Sequence, residues 1–164
     1  MLFRSSVALA ELRARVATAA SLRPFFEPKA VAIAGASRDP AGIGTRILRA
    51  LINAGFQGEI FPINPQAQSI EGLKAFANFQ ALPRTPELAI IAVPRDAVST
   101  VVDDCAARGV RALVVITAGF AETGAEGRVL QQHLVEKIRG YGMRMVGPNC
   151  LGLLNTDPVV CLNA

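Results

Sequence analysis

Short apolar runs alternate with amphipathic segments along the chain from residue 28 onward. Apolar runs with the length of a buried strand cover residues 30–34, 59–63, 88–93, 111–116 and 144–146. Between them, residues 43–54, 96–108 and 124–139 space their apolar side chains three and four apart, which predicts helices. Glycines follow the first two helical segments, as expected for a left-handed C-cap. Strands that alternate with helices in this way predict parallel βαβ units.

The same pattern predicts which helix faces turn inward. In the segment 96–108 the inward positions are Val98, Val101, Val102 and Cys105. In the segment 124–139 they are Val129, Leu130, Leu134, Val135 and Ile138. The stretch 66–86 shows no regular pattern and is expected to be irregular.

Composition supports an α/β fold in which the sheet is covered on both faces. Hydrophobic residues make up 51% of the chain and charged residues 18%, which excludes a disordered protein. Parallel strands buried on both faces need such apolar runs. We therefore predict a doubly wound parallel sheet in a three-layer α/β/α domain that covers residues 25–164.

The first 24 residues differ from the rest. They are rich in Ala, Arg and Ser, contain the single acid Glu11, and place Val7, Leu9, Leu12 and Val16 at helical spacing. This composition fits a mitochondrial presequence or a short helix and linker, and we favour the second. We expect residues 1–24 to form a leader outside the main domain.

Charge and cysteine content exclude several classes of partner. The net charge of +4 comes from scattered basic residues without interleaved aromatics, so neither nucleic-acid binding nor a membrane partner is expected. Three cysteines are too few and too irregularly spaced for a disulfide framework or a zinc site, and we expect reduced thiols and no metal. No apolar run approaches the ~20 residues that span a bilayer, so a cytoplasmic location is expected.

The ligand site is predicted at the carboxyl ends of the strands, where doubly wound sheets bind their ligands. All five strand ends are rich in residues that permit tight turns and close backbone approach. These ends are Gly35-Ala36-Ser37, Asn64-Pro65, Val93-Pro94, Thr117-Ala118-Gly119 and Gly147-Pro148-Asn149.

The loop after the first strand indicates a phosphate site. Backbone N–H groups around Gly42 and Gly44 lie where a helix begins, and helix N-termini bind anions. A dinucleotide fingerprint would place a glycine at Ser37 and an acid at the end of the second strand, where Asn64-Pro65 stands. A Walker A loop is excluded because the sequence contains no G-K-[ST].

Three segments carry a family resemblance: "FFEPKAVAIAGASRDPAGIGTRILRALINAGFQGEIFPINP", "LAIIAVPRDAVSTVVDDCAARGVRALVVITAGFAETG" and "MRMVGPNCLGLLN". Together they resemble the N-terminal, Rossmann-like CoA-binding domain of the NDP-forming acyl-CoA synthetases. That group includes ADP-forming acetate–CoA ligases, relatives of the succinyl-CoA synthetase α subunit, and bacterial protein lysine acetyltransferases that carry the domain. The resemblance covers residues 22–164 and keeps five motifs in order.

The resemblance implies CoA or acyl-CoA as the ligand and assigns positions around it. The CoA diphosphate is expected at Gly35, Ala36, Ser37, Arg38, Asp39, Gly42 and Gly44. The adenosine is expected beside Asn64, Pro65 and Gln66, and the nucleotide and pantetheine beside Val93 and Pro94. The thiol end is expected at Thr117, Ala118, Gly119 and Phe120, and the site is expected to close at Gly147, Pro148, Asn149 and Cys150.

One departure from the family concerns the adenosine 3′-phosphate. Relatives commonly place a basic residue directly after the Asn-Pro pair, and here Gln66 stands there. A neutral amide loses a charge-assisted contact, which weakens binding of CoA unless Lys74 or Arg38 takes its place. The sequence leaves these alternatives open.

No catalytic residue is expected in this chain. His133 lies mid-helix, which favours a surface role over a phosphohistidine relay, and Cys150 has no histidine nearby in sequence. Asp103-Asp104 are expected on a solvated helix face, Glu122 and Glu126 as helix-capping acids, and Arg38 and Asp39 as a possible salt-bridged turn.

We therefore expect a CoA-binding domain of a larger acid–thiol ligase or acyltransferase. ATP-grasp, second CoA-ligase or acetyltransferase domains would be its partners. Two alternatives stay open: a stand-alone CoA-sensing domain without catalysis, and an NAD(P)-dependent oxidoreductase domain.

Overall fold

The computed structural model describes residues 2–164, with side chains described from residue 8 onward. The regular elements in that range are α1 (Leu2–Phe26), β1 (Ala30–Ala34), α2 (Ile43–Ala54), β2 (Glu59–Ile63), β3 (Ser69–Ile70), β4 (Leu73–Lys74), β5 (Leu88–Ile91), α3 (Arg95–Arg108), β6 (Ala112–Val115), α4 (Ala125–Gly140), β7 (Arg144–Val146), β8 (Leu154–Asn155) and β9 (Leu162–Asn163). Short 3₁₀ turns lie at Phe79–Ala81 and Ala121–Thr123.

The central sheet is parallel, with strand order β2-β1-β5-β6-β7. The chain moves outward from β1 to β2, then crosses back to β5 on the other side of β1. The order therefore reverses between β1 and β5, which is the point where doubly wound sheets open a crevice for ligands. The predicted fold class is confirmed.

Both faces of the sheet are buried. Ala32, Leu113 and neighbouring side chains pack on one face in a cluster with residues of α3 and α4. Ile33 and Val114 pack on the other face in a cluster with residues of α2 and with Phe25 of α1. The strands read as continuous apolar runs because neither face meets water.

Most predicted boundaries agree with the structure. β1, β2, β7 and α2 have the predicted limits, and Gly55 and Gly109 end their helices in the left-handed conformation. β5 is shorter than predicted and ends at Ile91, because the chain leaves the sheet before Val93.

The prediction for the inward face of α4 was partly wrong. Leu134 and Ile138 are buried, but Val129 is 52% exposed and Leu130 36% exposed. The inward face begins at Gly127, which packs so closely on the Phe120 carbonyl that a Cβ there would overlap it. This contact turns the first half of α4 so that Val129 faces outward.

α1 runs past the expected end of the leader, through Pro24 to Phe26. Phe25 is buried against the sheet, whereas residues 8–20 are exposed on every side. The Val7 side chain lies outside those described. No helix within residues 2–164 is long and apolar enough to cross a membrane.

The stretch 66–86 contains structure that its pattern did not predict. A β3–β4 hairpin covers the outer edge of β2, where Ile63 forms a bridge with Phe76. The Phe76 ring meets Phe61 edge to face, with ring centroids 5.7 Å apart. The hairpin of β8 and β9 near the C-terminus was likewise not predicted.

Candidate functional site

Two glycines bring α2 into contact with the loop after β1. Gly35 has φ +103°, and a Cβ on it would overlap the carbonyl of Ala92. A Cβ on Gly44 would lie 2.5 Å from the carbonyl of Gly35. A side chain on Gly44 would push the N-terminus of α2 away from the end of β1, and a side chain on Gly35 would push that strand end away from the segment after β5. Both glycines are therefore a packing requirement of this loop.

Thr45 holds the loop from beneath. It is fully buried, and its hydroxyl accepts a hydrogen bond from the Ser37 amide at 3.0 Å. The same hydroxyl donates to the Ser37 carbonyl at 2.8 Å. Sequence reasoning missed Thr45, although a threonine directly after Gly44 in the first helical turn was the available signal. The conformation of Ser37 is therefore fixed by one side chain.

The rest of the loop is closed by its own hydrogen bonds. The Asp39 amide donates to Ser37 Oγ at 3.2 Å, and the Ala41 amide donates to Asp39 Oδ1 at 2.9 Å. The Gly42 amide donates to the Asp39 carbonyl at 3.2 Å. These amides are already used, so the loop cannot offer all of its backbone donors to a ligand.

Open donors are concentrated at the first turn of α2. Gly42 occupies the N-cap without a side-chain hydrogen bond, and the first turn contains no acidic residue. The N–H groups of the first helical turn have no partner within a helix, and they carry a partial positive charge. This is the geometry of an anion site.

Two basic residues belong to the segments that form this anion site: Arg38 in the loop and Arg46 in the first turn of α2. Arg38 and Arg46 are exposed, and within residues 8–164 neither forms an ion pair. The salt-bridged turn considered for Arg38 and Asp39 is thus not formed. Lys74 lies with Nζ 5.3 Å from the centroid of the Phe76 ring. Both candidates for a 3′-phosphate contact are therefore available on the surface.

Asn64 joins the ends of β1 and β2. Its Nδ2 donates to the Ala36 carbonyl at 2.9 Å, and its Oδ1 accepts from the Gln66 amide at 2.8 Å. The amide of Asn64 thus clamps the first loop to the turn after β2, and it leaves Pro65 and Gln66 exposed.

A cavity of about 360 Å³ opens between these strand ends and α3, beside the point where strand order reverses. We call it the switch-point cavity. Its lining includes six of the predicted site residues: Gly35, Ala36, Ser37, Asn64, Pro65 and Val93. It also includes residues that sequence reasoning missed: Ala34, Ile63, Ala77, Asn78, Phe79, Val101 and Asp104. Most of the missed residues lie in the unpredicted stretch 66–86 or face inward from α3.

The other half of the predicted rim lies outside that cavity. Thr117 Oγ1 donates to the Val93 carbonyl at 2.7 Å, and the Asn149 amide donates to the Thr117 carbonyl at 3.0 Å. Gly119 borders the Arg95 side chain, and Phe120 is turned into the core. We call residues 117–122 and 147–150 the distal half of the rim, in which Ala118, Gly147 and Pro148 also lie.

Glu122 occupies the backbone donors of this distal half. Its carboxylate accepts hydrogen bonds from the amides of Gly119 and Phe120. These bonds, that from Gly119 foremost, lower the pKa of Glu122. The capping role expected for Glu122 was wrong, because neither the 3₁₀ turn nor α4 has a side-chain cap and this carboxylate binds amides that precede the turn.

Apart from Asp104, the histidine, aspartate and cysteine residues considered as candidate catalytic groups lie outside the switch-point cavity or are held by structural contacts. His133 is exposed on α4, and Asp103 accepts hydrogen bonds from Lys137 and Tyr141, each at 2.7 Å. Cys150 is half-buried, with Sγ 3.4 Å from the Val115 carbonyl. Burial raises the pKa of the Cys105 thiol. Among the described residues, no three His, Cys, Asp or Glu side chains cluster to hold a metal ion.

Comparison with known proteins by sequence gives one matching family and several relatives that are CoA ligases. A sequence profile described as "CoA binding domain" matches residues 29–156. The α subunit of acetate–CoA ligase [ADP-forming] II from Pyrococcus furiosus is 41% identical over 133 residues, which cover 80% of this chain and 29% of that protein. The 4-hydroxybutyrate–CoA ligase [ADP-forming] of Nitrosopumilus maritimus is 33% identical and is matched over 86% of this chain and 20% of its own length.

A solved structure gives the same result in three dimensions. Dinucleotide-forming acetyl-coenzyme A synthetase 1 of Ca. Korarchaeum cryptofilum, in complex with phosphate and ADP, superposes with a TM-score of 0.81. It is 42% identical, and the match covers 86% of this chain and 30% of that one. This chain therefore spans about a third or less of the length of these three proteins.

Proposed function

The chain belongs to the CoA-binding domain family, and from that premise we propose that it binds coenzyme A, free or acylated, through the loop between β1 and α2. The observation that carries this proposal is the uncapped N-terminus of α2, held against the strand end by Gly35 and Gly44. The diphosphate of CoA lies there, because the open amides and the helix dipole attract negative charge.

Ser37 contributes its hydroxyl to the same phosphates. Its Oγ accepts a hydrogen bond from the Asp39 amide, so its proton is free to be donated to a phosphate oxygen. Thr45 keeps this hydroxyl at the helix N-terminus. Arg38 and Arg46 add positive charge near the phosphates, and this charge attracts them even without a direct hydrogen bond.

The pantetheine arm leaves the nucleotide along Val93 and Pro94 toward the distal half of the rim. Thr117 ties the ends of β5 and β6 together there, and Asn149 is tied to Thr117 in turn. In this proposal the chain supplies binding and orientation of the thiol, and no group in it forms the acyl bond.

The chemistry belongs to the rest of a larger protein. The two relatives described above and an acetate–CoA ligase of Archaeoglobus fulgidus are ADP-forming ligases, and this chain matches 20–29% of their length. We propose that the chain serves such a cytoplasmic acyl-CoA synthetase, with ATP-grasp and second ligase domains as partners. An acetyltransferase partner is the variant of this proposal that the sequence resemblance also implies.

Calorimetric titration with CoA tests the proposal. We expect saturable binding at one site per chain, and stronger stabilisation against heat by CoA than by NADH. The proposal is overturned if the protein is folded and shows no heat of binding with CoA at roughly millimolar concentration. Stabilisation by NADH and not by CoA would establish the oxidoreductase alternative.

A further inference from the structure

The switch-point cavity contains one charged side chain. Asp104 reaches it from α3, and every other lining residue is apolar, a glycine or a neutral polar residue. Within residues 8–164, Asp104 takes part in no ion pair, although it is half-buried. Its neighbour Asp103 faces α4 and pairs with Lys137. The two adjacent acids therefore have different surroundings, and only Asp104 is left for a ligand.

A carboxylate in this cavity excludes phosphate from it. Two negative charges in a partly desolvated cavity repel each other, whereas the N-terminus of α2 attracts phosphate. An anionic nucleotide therefore places its phosphates at α2 and an uncharged part in the cavity. The walls formed by Ile63, Phe79 and Val101 suit a flat aromatic ring.

Asn78 adds a donor to the acceptor that Asp104 provides. The Oδ1 atom of Asn78 accepts a hydrogen bond from the Ala81 amide at 3.0 Å, which directs Nδ2 away from the 3₁₀ turn. That Nδ2 group has no partner among the described residues and can donate to a ligand. Asp104 and Asn78 thus offer an acceptor and a donor on the side of the cavity away from α2, whereas the Ser37 hydroxyl belongs to the phosphate end.

With the phosphates held at α2, this pair suits a base that presents an amino group toward α3. Adenine presents an amino donor next to ring nitrogen acceptors, whereas hypoxanthine and guanine present a carbonyl oxygen in place of the amino group. A carbonyl oxygen facing the Asp104 carboxylate would leave both groups without a hydrogen bond, which costs more than a merely absent contact.

We propose that Asp104 and Asn78 select adenine in the switch-point cavity, with Asp104 accepting from the exocyclic amino group and Asn78 donating to a ring nitrogen. This inference rests on the proposed function and assigns its base specificity to two residues. Asp104 is the specificity-determining residue, and Asn78 fixes the orientation of the ring.

The test compares CoA with its deaminated analogue, in which hypoxanthine replaces adenine. The wild-type chain is expected to bind CoA at least about 10-fold more tightly than the analogue, in the range of one well-made base contact. Asp104→Ala should bind CoA more weakly and lose most of this preference. Asp103→Ala is the matched control, since it removes the neighbouring acid outside the cavity, and it should keep the preference.

Each result has one meaning. Equal binding of both compounds by the wild-type chain, or an Asp104→Ala variant that keeps the preference, overturns this inference and leaves CoA binding standing. No binding of either compound overturns the proposed function itself. Asn78→Ala provides a second route should Asp104→Ala unfold, and it too should reduce the preference.

Discussion

The two halves of the rim differ in how far this chain builds them. On the side of β1 and β2, Thr45 and Asn64 fix the loops from within, and they leave the donors at the start of α2 open. On the distal side, Glu122 occupies the amides of Gly119 and Phe120, and Phe120 is turned into the core. The first half is preorganised for an anion, whereas the second has its donors filled by its own side chain.

The proposed function gives a reason for this difference. A diphosphate needs fixed donors, and preorganisation lowers the entropy lost on binding. In the proposed function, the distal half of the rim binds the neutral pantetheine arm and works against another domain. The comparison therefore predicts that substitutions near α2 abolish nucleotide binding, whereas substitutions near β6 leave it intact.

Replacing Gly44 by alanine should have the largest effect. The new Cβ would lie 2.5 Å from the Gly35 carbonyl, so α2 must move away from the loop. We expect a loss of roughly 1–3 kcal/mol in the free energy of unfolding and no measurable CoA binding. Gly140→Ala is the control, since a Cβ there meets nothing within 4 Å, and it should gain up to about 1 kcal/mol. Equal behaviour of the two variants in denaturant unfolding would contradict the packing argument.

Removing the positive charge of Lys74 should affect the binding of CoA and not the binding of dephospho-CoA, which lacks the 3′-phosphate. Lys74 Nζ lies over the ring of Phe76, and the backbone carbonyl of Phe76 accepts a hydrogen bond from the backbone N–H of Asn64. The charge of Lys74 therefore lies beside the turn that contains Gln66. We expect Lys74→Ala to lower the affinity for CoA by about 10-fold or more, which corresponds to the loss of one hydrogen bond to a charged group. The affinity for dephospho-CoA should not change. If Arg38→Ala gives that selective loss and Lys74→Ala does not, the 3′-phosphate lies on the other side of the loop.

Thr45 tests the preorganisation of the first half. Thr45→Val keeps the shape but removes the hydroxyl, and it leaves the amide and carbonyl of Ser37 unpaired. We expect a loss of about 1–3 kcal/mol in stability and weaker CoA binding in calorimetry. Thr45→Ser retains the hydroxyl and should restore binding. A Thr45→Val variant with unchanged affinity would show that the Ser37 conformation does not matter.

Asp103 should give the smallest effect. Hydrogen bonds from Lys137 and then Tyr141 lower its pKa in the folded chain. A carboxyl group whose pKa is lower in the folded chain than in the unfolded chain stabilises the fold at pH values above its unfolded pKa, which is about 4. This stabilisation is lost as the pH falls through the pKa of the folded chain. Because both ionic side chains are partly exposed, we expect Asp103→Asn to cost less than about 1 kcal/mol at pH 7. A difference from wild type that grew below pH 4 in thermal melts would contradict this sign.

The sequence predicted most of the central sheet because each strand is an apolar run between turn residues. It predicted the first loop equally well, since Gly35 and Gly44 have a direct packing reason. It missed Asn78 and Phe79 because the stretch 66–86 is held by long-range pairing, with Phe76 bridging to Ile63, and not by local periodicity. It also placed Phe120 at the rim, where only packing under α4 reveals that its side chain is in the core. Local signals therefore predicted the backbone of the candidate site, and tertiary contacts form the cavity beside it.

The central claim is that the start of α2 holds the diphosphate of CoA. Backbone amide chemical shifts measured during a titration with CoA test it most directly. We predict the largest changes at Ile43, Gly44 and Thr45, with smaller changes at Gly119 and Phe120. Changes confined to the distal half of the rim, with the α2 amides unmoved at saturation, would contradict the account.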